Sequence, residues 1–414
     1  MTNINESKHG LVLSGGGAYG AFGVGVMKAL FAGKSPGTGY TPLEASVLTG
    51  TSIGAFNAAY LVSQPGRPSL STLEQLEQVW LTQMADTSES CGNGVYRIRG
   101  DPVTYLDPRC FAKNPTRSFA EAAADTAFFA QDLFKRGVKF FEVPGGLAQR
   151  AAELIDISAI FSLEPFKQLL SRVVSLEGIR DSTSKVDIAA TNWTTGDLRL
   201  FRNHDPVDEI TYEAILASTA LPGVFPPVEL EGRPYVDGGV SMNTPLLPAI
   251  QAGAETIYVI YLVPQPKDVP VERLPDTLDT IYRQQIIEWD IKTDEDTQTV
   301  RWINKGLEVI ERAARGELLS DEQLRDFIRV AGVIEERYRK GKPYKLLTVH
   351  NYRPWHETGQ ALKLLNFKLE NITELIERGF KDAVEHDCVA NNCVLPARLT
   401  QNSRLATGDI ASRE

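Results

Sequence analysis

Two strand-to-helix units in the first 62 residues constrain the fold of this chain more than any other feature of its sequence. In the first, the apolar run 10–13 leads into the glycine-rich segment 14–17. A helical pattern follows, with apolar residues four apart: Phe22, Val26 and Leu30. In the second, the run 46–50 leads into a sharp turn and a helix over 55–62. Successive strand–turn–helix units are typical of α/β proteins with a mostly parallel sheet.

The patterns along the rest of the chain indicate a core, an insertion and an extension. Strand and turn signals continue through residue 265, which predicts an α/β core over 8–265. An insertion at 85–160, with a helical stretch of its own, interrupts this core. The extension at 266–390 is helical and strongly charged, with a late strand, and 391–414 is predicted to be a loose tail. The predicted architecture is a three-layer α/β/α fold with a helical insertion and C-terminal helices.

Composition and charge argue against several classes of protein. The net charge of −10 disfavours a broad nucleic-acid surface and wholesale adsorption to anionic membranes. No run of 18 apolar residues predicts a membrane span, and the N-terminus lacks the pattern of a secretory signal. We therefore expect a cytoplasmic protein that contacts membranes only peripherally.

The cysteines give no sign of a metal site in the sequence. The chain has four cysteines, Cys91, Cys110, Cys388 and Cys393. They form no CxxC pair, and their spacing to the histidines is not typical of a metal site. We interpret them as free thiols in a reducing compartment, although Cys388 and Cys393 are close enough in sequence to pair. No metal and no cofactor is predicted.

The first candidate catalytic motif is the G-x-S-x-G segment Gly50-Thr51-Ser52-Ile53-Gly54. A nucleophilic serine in this motif sits on a strained turn between a strand and a helix, where Gly50 and Gly54 leave room for the chain. The helix that follows directs its positive end at Ser52, which favours an alkoxide and a neighbouring oxyanion. The same pattern also fits a serine that caps a helix in an ordinary turn. The strand before it and the helix after it favour the nucleophile.

The second motif is the glycine-rich loop after the first strand: Gly15, Gly16, Gly17 and Ala18. Consecutive backbone N–H groups at a helix N-terminus bind an anion, either a phosphate or a tetrahedral oxyanion. Through Gly20 the segment also matches the dinucleotide-binding pattern G-x-G-x-x-G. That pattern expects an acidic residue at the end of the second strand, whereas Glu44 precedes this strand. The oxyanion interpretation is favoured because the second strand leads into a candidate nucleophile.

The third motif is Asp237-Gly238-Gly239, which follows an apolar approach. Two glycines place the carboxylate at a tight turn with open space beside it. Asp-Gly pairs are also common in ordinary turns, so this motif alone does not identify a base.

Together the three motifs resemble the patatin-like phospholipases. That family combines a glycine-rich oxyanion loop, a G-x-S-x-G elbow and a distant D-G-G or D-G-A, in the order seen here. The resemblance also covers the hairpin 190–201, the segment 217–228 and the closing helix 375–383. One departure is Tyr19, at a position where the family usually carries Arg or Lys.

The resemblance implies a lipid acyl hydrolase of the phospholipase A or lysophospholipase type. In this scheme Asp237 deprotonates Ser52, which forms an acyl-enzyme, and the glycine-rich loop stabilises the oxyanion. The candidates for an acyl pocket are Leu221, Val224 and Phe225. A role in the hydrophobic core is equally compatible with these three residues. The implied partners are phospholipid or another acyl lipid and, transiently, a membrane surface, with no nucleic acid. The charged helices at 276–340 offer a surface for a homo-oligomer or a regulatory partner.

Two other functions stay open at this point. One is a Rossmann-type nucleotide-binding protein, based on the glycine pattern. The other is an esterase with a Ser-His-Asp triad of the ordinary α/β-hydrolase kind, for which His350 at a strand end is the best-placed histidine. Within the insertion, apolar and basic residues alternate at helical spacing over 128–141, which is compatible with a lid that admits lipid or with a core helix.

Overall fold

The structure is a computed structural model that describes residues 8–86, 161–269, 277–340, 343–354 and 364–396, together with a few residues between 95 and 130. Most of the predicted insertion, including nearly all of the candidate lid, therefore lies outside the described residues.

An eight-stranded sheet forms the centre of the described part of the chain. Its strands are β1 (His9–Leu13), β2 (Ala45–Thr51), β5 (Lys185–Asn192), β6 (Leu198–Arg202), β7 (Val228–Leu230), β8 (Arg233–Asp237), β9 (Thr256–Ile260) and β10 (Thr348–Tyr352). Two short strands, β3 (Arg97–Ile98) and β4 (Phe161–Ser162), pair separately. In the order β10-β9-β1-β2-β5 the strands run parallel, while β6 and β8 pair antiparallel with β5, and β7 with β8. The predicted mostly parallel sheet is confirmed.

Helices cover both faces of this sheet. They are α1 (Gly20–Phe31), α2 (Ile53–Ser63), α3 (Leu70–Val79), α4 (Glu164–Val173), α5 (Leu176–Asp181), α6 (Tyr212–Ser218), α7 (Leu246–Ala252), α8 (Thr277–Ala314), α9 (Asp321–Arg339) and α10 (Leu369–Val384). Successive strand residues point to opposite faces, so Leu11 and Leu13 enter the larger core and Val12 the smaller one. Helices α1, α2, α3 and α10 supply the larger core, and α7 supplies the smaller. This is the expected α/β/α layering.

The long helix α8 belongs to both layers of the core. Its Ile286 packs in the larger core, whereas Val300 and Ile303 pack in the smaller one. No helix in the described part of the chain is both long enough and apolar enough to cross a bilayer. Of the predicted tail, Val394 pairs antiparallel with Val349 of β10, and residues 397–414 lie outside the described ranges.

The closing helix α10 packs directly on the backbone of α1. A Cβ atom on Gly25 would lie 2.0 Å from the carbonyl oxygen of Ile376, and one on Gly379 would lie 2.0 Å from that of Phe22. The absence of both side chains lets the two helices approach closely, which brings α10 beside the helix that follows the glycine-rich loop.

Substitution of Gly379 by alanine is expected to lower the free energy of unfolding by about 1–3 kcal/mol, because overpacking forces the two backbones apart. The matched control is Gly332→Ala on α9, where an added Cβ meets nothing within 4 Å. That change should leave stability unchanged or raise it by up to about 1 kcal/mol, since alanine favours helix. Urea unfolding of the two variants makes the comparison, and equal effects would contradict the close packing.

Candidate active site

Ser52 occupies a strained turn between β2 and α2. Its backbone has φ 56° and ψ −127°, a conformation that residues other than glycine rarely adopt. The Ser52 N–H donates to Ser218 Oγ at 2.9 Å, and the Ser52 carbonyl accepts from the Ala55 N–H at 2.9 Å. These contacts hold the backbone in place, and such strain costs on the order of 1–3 kcal/mol.

The Ser52 side chain does not cap α2. Its hydroxyl makes no capping hydrogen bond to the first turn of the helix, so the interpretation as an ordinary capping serine is wrong. Ser52 is half-buried, whereas Thr51 and Ile53 on either side are buried. The hydroxyl therefore stands at the positive end of a buried helix with its oxygen free for other partners.

Glycines allow the ends of β1 and β2 to meet at Ser52. A Cβ on Gly15 would lie 2.9 Å from Ser52 Cβ, and a Cβ on Gly54 would lie 2.3 Å from the carbonyl oxygen of Leu13. Any side chain at these two positions would push the loop after β1 away from Ser52. The two glycine motifs of the sequence thus form one site at the carboxyl edge of the sheet.

Asp237 reaches the same point from the opposite direction. Strand β8 is antiparallel to β5, and Asp237 pairs with Ala190, while Thr51 at the end of β2 pairs with Ala189. The ends of β2 and β8 therefore lie beside consecutive residues of β5. The side chains of Ser52 and Asp237 interact, since the Ser52 hydroxyl lowers the pKa of the Asp237 carboxyl.

Burial changes the acid–base properties of Asp237. Its side chain is 3% exposed, and this desolvation raises the pKa of the carboxyl to about 7. The hydrogen bonds from Ser52 and from the Gly239 N–H, which donates to Asp237 Oδ1 at 2.7 Å, act in the opposite direction and lower it. A carboxyl group with a pKa near neutrality can accept a proton and return it at physiological pH.

The glycine-rich loop presents backbone donors that are free within the described part of the chain. The Gly15 N–H is already used, because it donates to the carbonyl oxygen of Asn243 at 3.2 Å. The N–H groups of Gly16, Gly17 and Ala18 have no acceptor within the described ranges. They precede α1, so they carry the positive end of that helix as well. This end of the loop can bind a developing negative charge.

Asn243 lies between the glycine-rich loop and the Asp237 turn. Its Nδ2 donates to the Gly15 carbonyl at 3.4 Å, which adds to the bond from the Gly15 N–H. Its Oδ1 is buried and has no hydrogen-bond partner among the described residues, and it would lie 3.0 Å from a Cβ on Gly239. Sequence reasoning missed both Asn243 and Ser218, since neither belongs to one of the three motifs.

The end of α6 and the segment after it border both Ser52 and Asp237. The Ser218 hydroxyl binds the Ser52 N–H, and the Ala220 carbonyl accepts from the Asp237 N–H at 2.9 Å. The three pocket candidates follow directly. Phe225 is buried with its ring against Phe161 at 6.1 Å, and Leu221 and Val224 pack on the same core. Their place beside the site is compatible with a pocket wall, and their assignment to one stays a prediction.

Helix α8 also contacts the Asp237 turn. Trp289 Nε1 donates to the carbonyl oxygen of Gly239 at 2.7 Å, and Lys292 Nζ donates to the carbonyl oxygen of Ser241. The Trp289 ring is buried. The same helix also lies near Tyr19, the position that departs from the family pattern. Burial raises the pKa of Tyr282 on α8, and the buried Tyr19 adds to this rise.

Histidine is not part of this hydrogen-bonded group in the part of the chain that the structure describes. The partners of the Asp237 carboxylate there are Ser52 and Gly239. His350, the candidate for a triad, lies on β10, three strands from β2, with its Nδ1 3.4 Å from Cys388 Sγ. His356 lies outside the described residues.

The cysteine spacing was misleading about metal ligands. At the β10 edge of the sheet, one ligand atom from each of four side chains lies within 4.8 Å of the others: His350, His386, Cys388 and Cys393. This set was not predicted from the sequence, because chain positions far apart in sequence meet in the fold.

Comparison with known proteins gives one family and a distant structural likeness. The model of the patatin-like phospholipase family matches residues 11–250, which is more than half of the 414 residues and includes both Ser52 and Asp237. No curated protein matches the sequence. The crystal structure of VipD from Legionella pneumophila is similar with a TM-score of 0.36 and 14% identity, over 92% of this chain and 66% of that one. The chain thus spans just under two thirds of that structure's length.

Proposed function

The chain belongs to the patatin-like phospholipase family, and from this premise we propose that it hydrolyses carboxylic ester bonds of membrane lipids through a Ser52–Asp237 dyad. The observation that carries the proposal is a serine in a strained turn whose hydroxyl interacts with a buried aspartate, the pKa of which is raised to about 7. Neither property is needed for a stable fold, and both are needed for a nucleophile and its base.

In the proposed first step, Asp237 takes the hydroxyl proton of Ser52 while Ser52 Oγ attacks the acyl carbonyl carbon. The resulting oxyanion is stabilised by the free N–H groups of the glycine-rich loop, each worth about 3 kcal/mol in other hydrolases. Collapse of this intermediate breaks the ester bond, and the departing alkoxide takes the proton from Asp237. The product of this step is an acyl-Ser52 ester and a free alcohol.

In the second step, a water molecule gives its proton to Asp237 and attacks the acyl-enzyme. The tetrahedral intermediate collapses, Ser52 Oγ leaves with the proton from Asp237, and the fatty acid is released. A carboxyl with a pKa of about 3.9 in water would be too weak a base for this cycle. The buried environment of Asp237 supports the assignment because it brings the pKa to about 7.

We further propose that the chain contacts the membrane surface next to this site. Two exposed apolar side chains lie there, Trp193 (54% exposed) in the β5–β6 turn and Val240 (37% exposed) after the Asp237 turn. The two turns are tied together, because the Ser241 hydroxyl donates to the Gly196 carbonyl at 3.2 Å. Tryptophan favours the boundary between water and lipid, so this edge suits a transient, peripheral contact.

The proposal is tested with the purified chain on two substrates, mixed phospholipid vesicles and a short-chain nitrophenyl ester. We expect fatty-acid release from the vesicles and covalent labelling of Ser52 by a fluorophosphonate, located by peptide mass spectrometry. No hydrolysis of either substrate and no adduct on Ser52 would overturn the proposal. In that case tight binding of NAD(P) would instead favour the dinucleotide-binding alternative.

Substitution of Trp289 by phenylalanine is expected to lower kcat/KM by up to about tenfold. The change keeps a ring in place but removes the N–H that fixes the Gly239 carbonyl, and a hydrogen bond of this kind contributes about 0.5–1.5 kcal/mol. Because the Gly239 N–H donates to Asp237, a looser turn misplaces the base. Trp302→Phe on the same helix is the matched control. Equal activity in the two variants would show that α8 does not position the base.

A further inference from the structure

Two histidines and two cysteines meet at the edge of the sheet, away from the catalytic site. His350 lies in the middle of β10, and His386, Cys388 and Cys393 lie in the segment that follows α10. Both histidines are buried, the cysteines are half-buried and free, and the four ligand atoms lie within 4.8 Å of one another. We propose that these four side chains bind a structural zinc ion.

The distances within the cluster fit tetrahedral coordination. Cys388 Sγ lies 3.4 Å from His350 Nδ1 and 3.4 Å from His386 Nε2, and Cys393 Sγ lies 3.5 Å from His386 Nε2. Zinc binds sulfur at about 2.3 Å and imidazole nitrogen at about 2.0–2.1 Å, so tetrahedral angles place the two kinds of ligand atom about 3.5 Å apart. The side chains therefore need little movement to enclose the ion.

The surroundings hold the ligands in these positions. The His350 ring stacks on Tyr258 at 5.3 Å, and the His386 ring stacks on Tyr352 at 4.3 Å. The Asn351 N–H donates to Cys393 Sγ at 3.3 Å, which fixes the position of this sulfur atom. Soft thiolates together with imidazoles in a tetrahedral set favour zinc over the oxygen-seeking cations.

Four protein ligands close the coordination sphere, which is the arrangement of structural zinc sites. The ion would join the outermost parallel strand, β10, to the segment after α10, next to the pairing of Val394 with Val349. Because α10 packs on α1, the ion would anchor the closing helix of the protein. Its role is in folding and stability, so the inference is independent of the proposed ester hydrolysis.

Zinc content of the full chain, purified without a histidine tag or chelator, tests the site. We expect about one zinc per chain in the wild type, and a loss of at least about tenfold in Cys388→Ser and in Cys393→Ser. Cys91→Ser is the cysteine-matched control and should keep its zinc. Removal of the metal from the wild type with a chelator is expected to lower the melting temperature, and zinc should restore it.

Cobalt substitution keeps the test decisive where the cysteine variants fail to fold. Addition of Co²⁺ to the metal-stripped, reduced wild type should give the intense visible absorption of tetrahedral cobalt and a thiolate charge-transfer band. A wild type that contains no zinc and gives no such spectrum would overturn the proposal. Detection of a Cys388–Cys393 disulfide in protein from fresh lysate, by mass spectrometry without reduction, would overturn it as well.

Discussion

Replacement of Ser52 by alanine is expected to lower kcat for ester hydrolysis by on the order of 10⁴–10⁶-fold, the loss seen when a serine nucleophile is removed. The substitution removes only the oxygen that attacks the ester. Alanine must adopt the same φ of 56° as serine, so the strain of the turn stays and the free energy of unfolding should change little. Release of fatty acid from vesicles and urea unfolding measure the two quantities.

The control for this variant is Ser171→Ala, which removes an exposed hydroxyl on α4 and should leave activity at the wild-type level. Retention of more than a few per cent of activity by Ser52→Ala, after removal of contaminating esterase, would mean that the nucleophile lies elsewhere. If Ser52→Ala loses activity because it unfolds, fluorophosphonate labelling of the wild type tests the nucleophile instead, since this measurement does not depend on the variant.

The layered fold and the three motifs could be predicted because their signals are local. An apolar run, a glycine turn and a helical pattern follow one another at β1 and at β2, and this order leaves few alternatives to a parallel sheet. The proximity of Ser52 and Asp237 could not be predicted from local signals. It depends on the antiparallel approach of β8 to β5, which no spacing in the sequence encodes. Only the family resemblance connected the two residues in advance.

The contribution of α8 could not be predicted from its own sequence. Its charged residues suggested a surface for a homo-oligomer or a regulatory partner, yet the helix packs in both cores and Trp289 donates to a backbone carbonyl of the Asp237 turn. A backbone acceptor leaves no trace in the sequence, because any residue can provide it. Helix α8, which follows the predicted boundary at residue 265, therefore packs on elements that precede it.

The histidine–cysteine cluster was missed because spacing rules detect only local ligand sets. His350 and Cys388 are 38 residues apart, and the chain passes through α10 between them. The local signal was the close succession of His386, Cys388 and Cys393, which supplies three of the four ligands. A search for three nearby ligands and one distant histidine would have found the cluster.

Replacement of Asp237 by asparagine is expected to lower kcat/KM by about 10²–10⁴-fold, the usual contribution of a general base. Asparagine has nearly the same shape, and its Oδ1 still accepts from the Gly239 N–H, but it cannot take a proton. In the wild type, kcat/KM should rise about tenfold per pH unit up to about pH 7 and then level off, as Asp237 loses its proton. This rise should be absent from the residual activity of the variant.

Stability provides an independent check on the same carboxyl. The pKa of Asp237 is raised from 3.8 to about 7 by burial, so the folded state holds this proton more tightly than the unfolded state. The contribution is fully present below pH 3.8 and is lost as the pH rises to about 7. Asparagine has no proton to lose. The stability of Asp237→Asn relative to wild type should therefore increase over this interval, by on the order of 4 kcal/mol, and stay constant above it.

Asp187 provides a control for the effect of burial, because its carboxyl is buried but lies outside the proposed dyad. It lies on β5, and burial raises the pKa of its carboxyl to about 6, although Arg202 and Lys185 lower it. Asp187→Asn should therefore alter the dependence of stability on pH but leave the pH–rate profile as in the wild type. If the rise of kcat/KM disappeared in Asp187→Asn and persisted in Asp237→Asn, the base would not be Asp237. A raised pKa shows that a carboxyl is buried, whereas only the interaction with Ser52 connects the Asp237 carboxyl to the reaction.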